Sequence, residues 1–486
     1  MFVKEKFCKT KIMCTLGPSC DNEETLRSLL KEGLDGVRFN FSLGTHEENL
    51  TRIERFRKVE KEFGIKIPMI LDTKGPKIRL GDFKESVLLT EGQKYILTIN
   101  DVIGDEKKAS VSYKGLVKDL KPGDKVSIDD GLIELKVDNI TDSDVNCTVL
   151  NTGKIGSKKG VNLPGVKISL PTFSKKDIED LKFAVDNKFD FVAASFVRTK
   201  QDCLDVKKYL KDFGGENIQV IAKIENQEGL DNFDEILPLV EGIMVARGDL
   251  GAEIPIEKLP FEQKKMLKKC LANGKLTIIA AQMLDSMMVN PRPSRAEVTD
   301  ISNAIIDGSS VIMLSGETAN GKHPIEALKF MNIIAREAEN HLNLLELSCS
   351  LGEFENLANS NPELYYKRVI EYSSCVTANL LNAKAIICLT RNGITPNILS
   401  GYRPKSPIFA ITTNELVARQ LALVWNVNPM FFNEFTDPQD MVDKSVKKLK
   451  DIQILNSGDT VVIAGGDVED KNGKYTATIS FVMKVN

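Results

Sequence analysis

The 486-residue chain holds three histidines, a single tryptophan and almost no net charge, with 65 basic against 68 acidic residues. So few histidines, beside nine cysteines without a C-x-x-C pair or metal-like spacing, argue against a zinc site. Reduced thiols in a cytoplasmic setting are expected instead. The charge balance removes any general electrostatic case for binding nucleic acid. No uninterrupted apolar run approaches the ~18 residues of a membrane-spanning helix. The first residues, M-F-V-K-E-K-F-C-K-T-K, are basic but lack the apolar stretch of a secretory signal. These absences leave a soluble, globular protein, long enough for two or three domains.

What is present is a rhythm. Short apolar runs with strand propensity recur at 11–17, 36–40, 69–73, 191–196, 219–225, 242–249, 276–282 and 309–315, with helical segments between them. Eight such units predict an α/β fold, a (β/α)8 TIM barrel whose functional residues lie at the C-terminal strand ends. Thr45 with Glu48 and Ser294 with Glu297 fit capping boxes at helix starts. The rhythm breaks between Thr73 and Phe191, where strand formers such as Y-I-L-T-I, K-V-S-I and V-N-C-T-V-L lie between K-P-G-D, D-D-G and N-T-G turns. Residues 76–171 are therefore expected to form an inserted β-rich domain, placed to close over the barrel mouth as a lid. Residues 1–75 and 172–345 are left for the barrel. A second α/β pattern, with strands at 384–390, 407–412, 426–432 and 459–465, predicts a C-terminal domain over 346–486.

Two of the strand-like runs end in functional side chains. In Q-V-I-A-K-I-E (219–225), Ile221, Lys223 and Glu225 share one parity and face one side of a strand. A lysine and a glutamate are costly to bury without partners, unless that side is the open mouth of the barrel. The run G-I-M-V-A-R-G-D (242–249) brings Asp249 to a similar edge one helix-length later. Two carboxylates there make a hard-oxygen site suited to a cation such as Mg²⁺, and the lysine adds a fixed positive charge. Such equipment suits phosphate or enolate chemistry. The plainer alternative is an ordinary βα repeat whose terminal charges are solvated.

The continuation bears on that choice. I-A-K-I-E-N-Q-E-G-L (221–230) and M-V-A-R-G-D-L-G (244–251) closely resemble the active-site signature of the pyruvate kinase family. T-L-G-P (15–18), R-F-N-F-S (38–42), L-D-T-K-G-P (71–76), G-S-K-K-G-V-N-L-P-G (156–165), P-R-P-S-R-A-E (291–297) and M-L-S-G-E-T-A (313–319) follow in the family's order. The resemblance implies phosphoryl transfer from phosphoenolpyruvate to ADP, giving pyruvate and ATP. It implies catalytic roles for Lys223 and Arg38, and substrate contacts from Arg38, Lys223, Arg247, Gly248 and Asp249. Glu225 and Asp249 match ligands of Mg²⁺ (or Mn²⁺), and Arg79 and Lys159 match contacts to the nucleotide phosphates. Asn40, Ser42, Asp72 and Thr73 match a monovalent-cation pocket. T-R-N-G-I-T, with Thr390, Arg391, Asn392, Gly393 and Thr395, occupies the place of a loop that binds the phosphate of an effector, a phosphorylated sugar or a nucleotide. Its other wall would be 465–474, where acidic residues oppose a doubly phosphorylated sugar and Lys471 and Lys474 favour one. A homotetramer, with no nucleic-acid or membrane partner, is also implied.

Three positions depart from the family pattern. Leu43 replaces a histidine near the nucleotide, and Ala281 replaces a threonine linked to proton delivery. Lys77 stands where many relatives have glutamate, and relatives with lysine there tend not to require K⁺. A tethered ammonium at Lys77 is thus expected to make the enzyme K⁺-independent. Leu43 and Ala281 keep open a catalytically impaired relative that binds metabolites. Arg79 and Lys159 count against a lyase or aldolase working through an enolate, because that chemistry needs no ADP.

Overall fold

The strands Lys11–Thr15, Gly36–Asn40, Met69–Asp72, Phe191–Ala194, Gln219–Ile224, Gly242–Ala246, Leu276–Ala280 and Val311–Leu314 are parallel and close into the expected barrel, the eighth pairing with the first. The computed structural model describes residues 8–129, 131–342, 362–435, 437–465, 468–469, 475–477 and 480–486. Both faces of these strands are apolar because both are covered, as parallel sheets require. Met13, Ile70, Phe191, Ile221, Met244, Ile278 and Met313 belong to the cluster inside the barrel, while alternate residues such as Ile12, Leu71, Val192 and Ala222 pack in the shell with the helices.

Both expected capping boxes form, on helices His46–Phe63 and Arg295–Ile306. Two more form on Lys175–Asp186 and Lys200–Asp212, where Asp177 and Asp202 replace the usual Glu or Gln. Two strand expectations need correction. The run 242–249 leaves the sheet at Ala246 and becomes helix Arg247–Glu253, which places Asp249 in a first helical turn rather than at a strand end. The run 276–282 stops at Ala280, because Ala281 and Gln282 adopt φ of 75° and 52° and cannot continue a strand.

The interval between the third and fourth barrel strands folds as a six-stranded sheet with a two-stranded ribbon, Val87–Leu89 paired with Gly153–Ile155. It has its own core around Tyr95, Leu97, Val126, Leu135 and Val145. The C-terminal domain contains the four expected strands as Ala385–Leu389, Ile408–Thr412, Val427–Phe431 and Thr460–Gly465, all parallel. A fifth, Ser480–Lys484, was not expected and pairs antiparallel at the sheet edge. Among the described residues no helix is long and apolar enough to cross a membrane.

The C-terminal domain closes the barrel floor. Its Leu423 joins the cluster inside the barrel. Gly36 leaves room for it, since a β-carbon there would lie 2.7 Å from Leu423 Cδ2. From helix Glu415–Leu421, Arg419 Nε donates to Asp190 Oδ1 at 2.7 Å, and Met69 N donates to Asp190 Oδ2 at 2.9 Å. Asp190 is fully buried, and that burial raises its carboxyl pKa against the opposing pull of Arg419. Removing one partner of a buried pair typically costs about 3–5 kcal/mol. Because Arg57 also stands 3.9 Å from Asp190, Arg419→Ala is expected at the low end, about 3 kcal/mol. Denaturant unfolding followed by barrel-specific hydrogen exchange measures it. A loss below about 1 kcal/mol would show that the backbone donors suffice.

Candidate active site

The C-terminal ends of the second to fifth strands converge on one carboxylate. Barrel register sets Asn40 and Ala193 on either side of Asp72, and Ala194 beside Ala222, so Arg38, Asp72, Ser195 and Lys223 reach the mouth together. Arg38 Nε donates to Asp72 Oδ2 at 2.6 Å, and Lys223 Nζ donates to Asp72 Oδ1 at 3.0 Å. Lys223 Nζ also donates to Ser195 Oγ at 2.7 Å, and that hydroxyl donates to Thr73 O at 2.7 Å. Arg38 is anchored further by Thr15 Oγ1 at 3.0 Å. Burial alone would raise the Asp72 carboxyl, but Arg38 and Lys223 together hold it below its ordinary range. Burial likewise disfavours the Lys223 ammonium, yet Asp72 and Glu225 keep its pKa above the ordinary lysine value.

Glu225 follows the fifth strand directly, with the parity of Lys223. Its Oε2 accepts from Phe196 N at 2.6 Å. Its Oε1 is buried without a hydrogen bond, although Lys223 Nζ lies 3.1 Å away. Burial first, then Asp249 and Asp72, push the Glu225 carboxyl up to about 7 against Lys223. An orphaned carboxylate oxygen with a second carboxylate nearby is a donor set that fits a hard divalent cation. Among the described residues no three His, Cys, Asp or Glu side chains converge as a metal group. Mg²⁺ often takes only one or two carboxylates and completes its shell with water and substrate oxygens.

Asp249 is not empty-handed. Lys77 Nζ stands 2.6 Å from its Oδ1, so in this conformation the ammonium rests on Asp249. The oxygen groups at the monovalent-cation positions have protein donors of their own. Asn40 Oδ1 accepts from Ser42 N at 3.1 Å, and Thr73 Oγ1 accepts from Ser195 N at 3.0 Å.

Arg247 turns away from the Lys223 cluster. Its Nη1 donates to both carboxylate oxygens of Asp300, at 2.8 and 2.7 Å, and its Nη2 to Ala281 O at 2.7 Å. This clamp holds the left-handed turn at Ala281. A β-carbon on Gly248 would lie 3.7 Å from that of Ala281, so the two small residues face each other. Leu43 is 64% exposed. Arg79 and Lys159 lie where the inserted domain joins the barrel, apart from the Lys223 contacts: Arg79 Nη1 donates to Lys158 O at 2.9 Å, and Lys159 Nζ pairs with Asp129 at 2.7 Å.

In the C-terminal domain, the loop from Thr390 to Thr395 follows Ala385–Leu389, whose neighbour on the other side is Thr460–Gly465. Strand order reverses between these two, the place where open α/β sheets form crevices. Gly393 N donates to Thr390 Oγ1 at 3.0 Å and Gly393 takes φ of 83°, a conformation that favours glycine. On the opposite wall, Lys471 and Lys474 lie outside the described residues.

Ser195 and Asp300 were not singled out from sequence. Ser195 carried a usable signal, since it is the polar residue closing the apolar run 191–196, as Lys223 and Glu225 close 219–225. Asp300 sits mid-helix and reads as an ordinary surface acid.

Comparison with known proteins places this geometry. The family model described as "Pyruvate kinase, barrel domain" matches residues 7–328, and "Pyruvate kinase, alpha/beta domain" matches residues 368–480. A pyruvate kinase of Clostridium acetobutylicum is 47% identical over 460 residues, covering 94% of this chain and 96% of that protein. One from Clostridium perfringens is 44% identical over the same shares. One from Staphylococcus haemolyticus is 43% identical, over 94% of this chain and 78% of its own length. With its barrel, its C-terminal domain and relatives matched along nearly the whole sequence, the chain belongs to the pyruvate kinase family.

Proposed function

We propose that the chain transfers the phosphoryl group of phosphoenolpyruvate to ADP, giving pyruvate and ATP, with Mg²⁺ or Mn²⁺ held by Glu225 and Asp249. The observation that carries this reading is the buried Arg38–Asp72–Lys223 cluster beside a Glu225 oxygen that accepts no hydrogen bond. Residues 1–75 and 172–345 would form the catalytic barrel, 76–171 the lid and 346–486 a regulatory domain.

Phosphoryl transfer asks for positioning and charge neutralisation more than covalent chemistry. The Arg38 guanidinium grips the substrate phosphate, which a planar fork does better than an ammonium. Lys223 meets the migrating group as a cation fixed in advance by Asp72 and Ser195. The divalent cation, when bound, neutralises charge on the phosphate oxygens. Gly248 offers a backbone amide to the substrate carboxylate, with Arg247 supporting that corner through Ala281. Arg79 and Lys159 bring the lid's positive charge to the nucleotide phosphates. The bond from phosphorus to the enol oxygen breaks as one to a terminal oxygen of ADP forms. The enolate left behind takes a proton on its methylene carbon.

Independence from K⁺ draws support from two features. Asp72, Thr73 and Asn40 already receive protein donors, and Lys77 supplies a positive charge at the barrel mouth, on Asp249. The effector reading rests on the Thr390–Thr395 loop, including Arg391 and Asn392, at the switch point of its sheet. A phosphorylated sugar or nucleotide is the ligand class. Exposed Ile256 and Phe261 suit the subunit contacts of a homotetramer. None of the eight described cysteines is in a disulfide, which supports a cytoplasmic setting. Ala281 favours one second reading, an impaired enzyme that binds metabolites. A coupled assay with phosphoenolpyruvate, ADP and Mg²⁺ decides between them.

Lys223→Met is expected to lower turnover by about 10²–10³-fold, the usual loss of one preorganised donor. Retention of more than a tenth of wild-type turnover, with the fold intact by circular dichroism, would remove Lys223 from this role. Restoring a hydroxyl at position 281 should speed enolate protonation. Ala281→Ser is preferred to Ala281→Thr, because a β-branched residue is strained at the φ of 75° found there. General acid assistance is worth about 10²–10⁴-fold, so exchange of pyruvate methyl protons with solvent should rise by about 10²-fold, the low end of that scale. An unchanged rate would mean that another group delivers the proton. For Lys77, wild-type protein should be active in Mg²⁺ with tetramethylammonium as the sole monovalent cation, and Lys77→Glu should create a K⁺ requirement. A wild-type enzyme silent without K⁺ would overturn that reading.

A further inference from the structure

One helical turn, far in sequence from the reacting groups, holds the segments that follow both the second and the third barrel strands. Helix Lys175–Asp186 opens on its capping box, in which Ser174 N donates to Asp177 Oδ2 at 2.8 Å. Its first turn then reaches inward twice. Lys176 Nζ donates to Phe41 O at 2.7 Å, just past the end of Gly36–Asn40. Asp177 Oδ1 accepts from Gly75 N at 3.0 Å, shortly after Met69–Asp72. Asp72 stands between these two ties. Phe41 N donates to Asp72 O at 3.0 Å, a last rung between the two strands. Phe41 is thus fixed through its amide by Asp72, through its buried ring, 5.3 Å from that of Phe183, and through its carbonyl by Lys176.

Lys176 is itself aimed. Its side chain is 42% exposed, so solvent competes for a flexible ammonium. Asp180, one turn further along and fully buried, turns it inward by accepting from Lys176 Nζ at 3.0 Å through Oδ2. The other oxygen of Asp180 lies 2.6 Å from His46 Nε2. His46 is the first residue of helix His46–Phe63, and its ring lies 4.7 Å from that of Phe183 and 5.8 Å from that of Phe41. A buried carboxylate needs partners, and those of Asp180 come from the two helices that meet at Phe41.

We infer that Lys176, held by Asp180 and His46, is a positioning residue for the Asp72 cluster: it fixes the Phe41 carbonyl and so the end of the strand pair that presents Arg38 and Asp72. The kinetic side of this inference rests on the proposed phosphoryl transfer. Arg38, Asp72 and Lys223 keep their charges without Lys176, so the attraction that binds an anionic substrate survives its loss. What loosens is the spacing of those charges. The transition state depends on that spacing more than ground-state binding does.

Lys176→Met is expected to lower kcat about tenfold, part of the ~10²-fold loss that follows a 1 Å misplacement, with KM for either substrate within about threefold of wild type. Lys176→Arg keeps a donor for Phe41 O and Asp180 and should recover about half of the wild-type kcat. Removing Lys176 alone leaves Asp180 short of a partner and weakens the fold. Lys176→Met/Asp180→Asn lacks that buried charge and should show the same kinetic loss. Hydrogen exchange of the full-length protein without ligands reads the contact apart from catalysis. Amides of 41–44 should exchange severalfold faster in Lys176→Met and in the double variant, and near the wild-type rate in Lys176→Arg, with 219–225 unchanged in all three. Unchanged exchange in 41–44 of the double variant overturns the positioning role, and so does a raised KM with kcat intact. If wild type turns over no phosphoenolpyruvate with ADP, the proposed reaction falls, and exchange in 41–44 alone decides whether Lys176 holds the Phe41 segment.

Discussion

Asp72 is buried between two cations, and the catalytic end of the barrel depends on that arrangement. An isolated carboxylate there would suffer a desolvation penalty of several kcal/mol. Arg38 and Lys223 offset it from either side, at 2.6 and 3.0 Å. The dependence is mutual, because without Asp72 two buried cations would face each other. Such a cluster is stable only as a set, and its members come from separate strands. Barrel closure makes the set possible by fixing register all round. A slip of one residue would turn Lys223 from the interior to the helical shell.

The same cost explains how the site suits an anionic, phosphorylated substrate. Cations that must be ordered when the substrate arrives lose much of their advantage, whereas cations already held by a carboxylate lose none. Ser195 adds to this by accepting one hydrogen bond from the Lys223 ammonium at 2.7 Å, which fixes its remaining directions. The buried Glu225 oxygen left without a hydrogen bond is the complementary feature, an acceptor beside the Lys223 ammonium at 3.1 Å. Lys77 then acts as a stand-in, neutralising Asp249 in the absence of a stronger charge.

The barrel was legible in the sequence because eight apolar runs recur with helical intervals. The parity of Ile221, Lys223 and Glu225 was legible for the same reason. Ile221 is in the interior cluster, so Lys223 and Glu225, on its side, had to emerge at the mouth. Strand endings were harder to see. The helix beginning at Arg247 has no side-chain cap to announce it, and Arg247 is held there by Asp300 and by Ala281 O, contacts from distant segments. The positive φ at Ala281 had no local sign, since alanine is not a residue that marks a left-handed turn. Asp190 was invisible for a different reason. Its partner Arg419 lies 229 positions away, and nothing in the local pattern of either residue anticipates their meeting.

That distant contact bears on how the C-terminal domain and the site are joined. Asp190 accepts from Met69 N through its side chain and from Gln219 N through its carbonyl, and it leads directly into Phe191. One residue therefore ties together the starts of the third, fourth and fifth strands, with Arg419 seated on it. The far ends of those strands carry Asp72, Ser195 and Lys223. Movement of helix Glu415–Leu421 thus acts on the three strands as a unit, since close-packed interiors transmit displacement rather than absorb it. Asp72, Ser195 and Lys223 thus share one tie to the C-terminal domain. Outside those three strands lie Arg38 on the second strand, the two chain crossings between barrel and lid at Lys77 and Asn162, and the helix that presents Asp249.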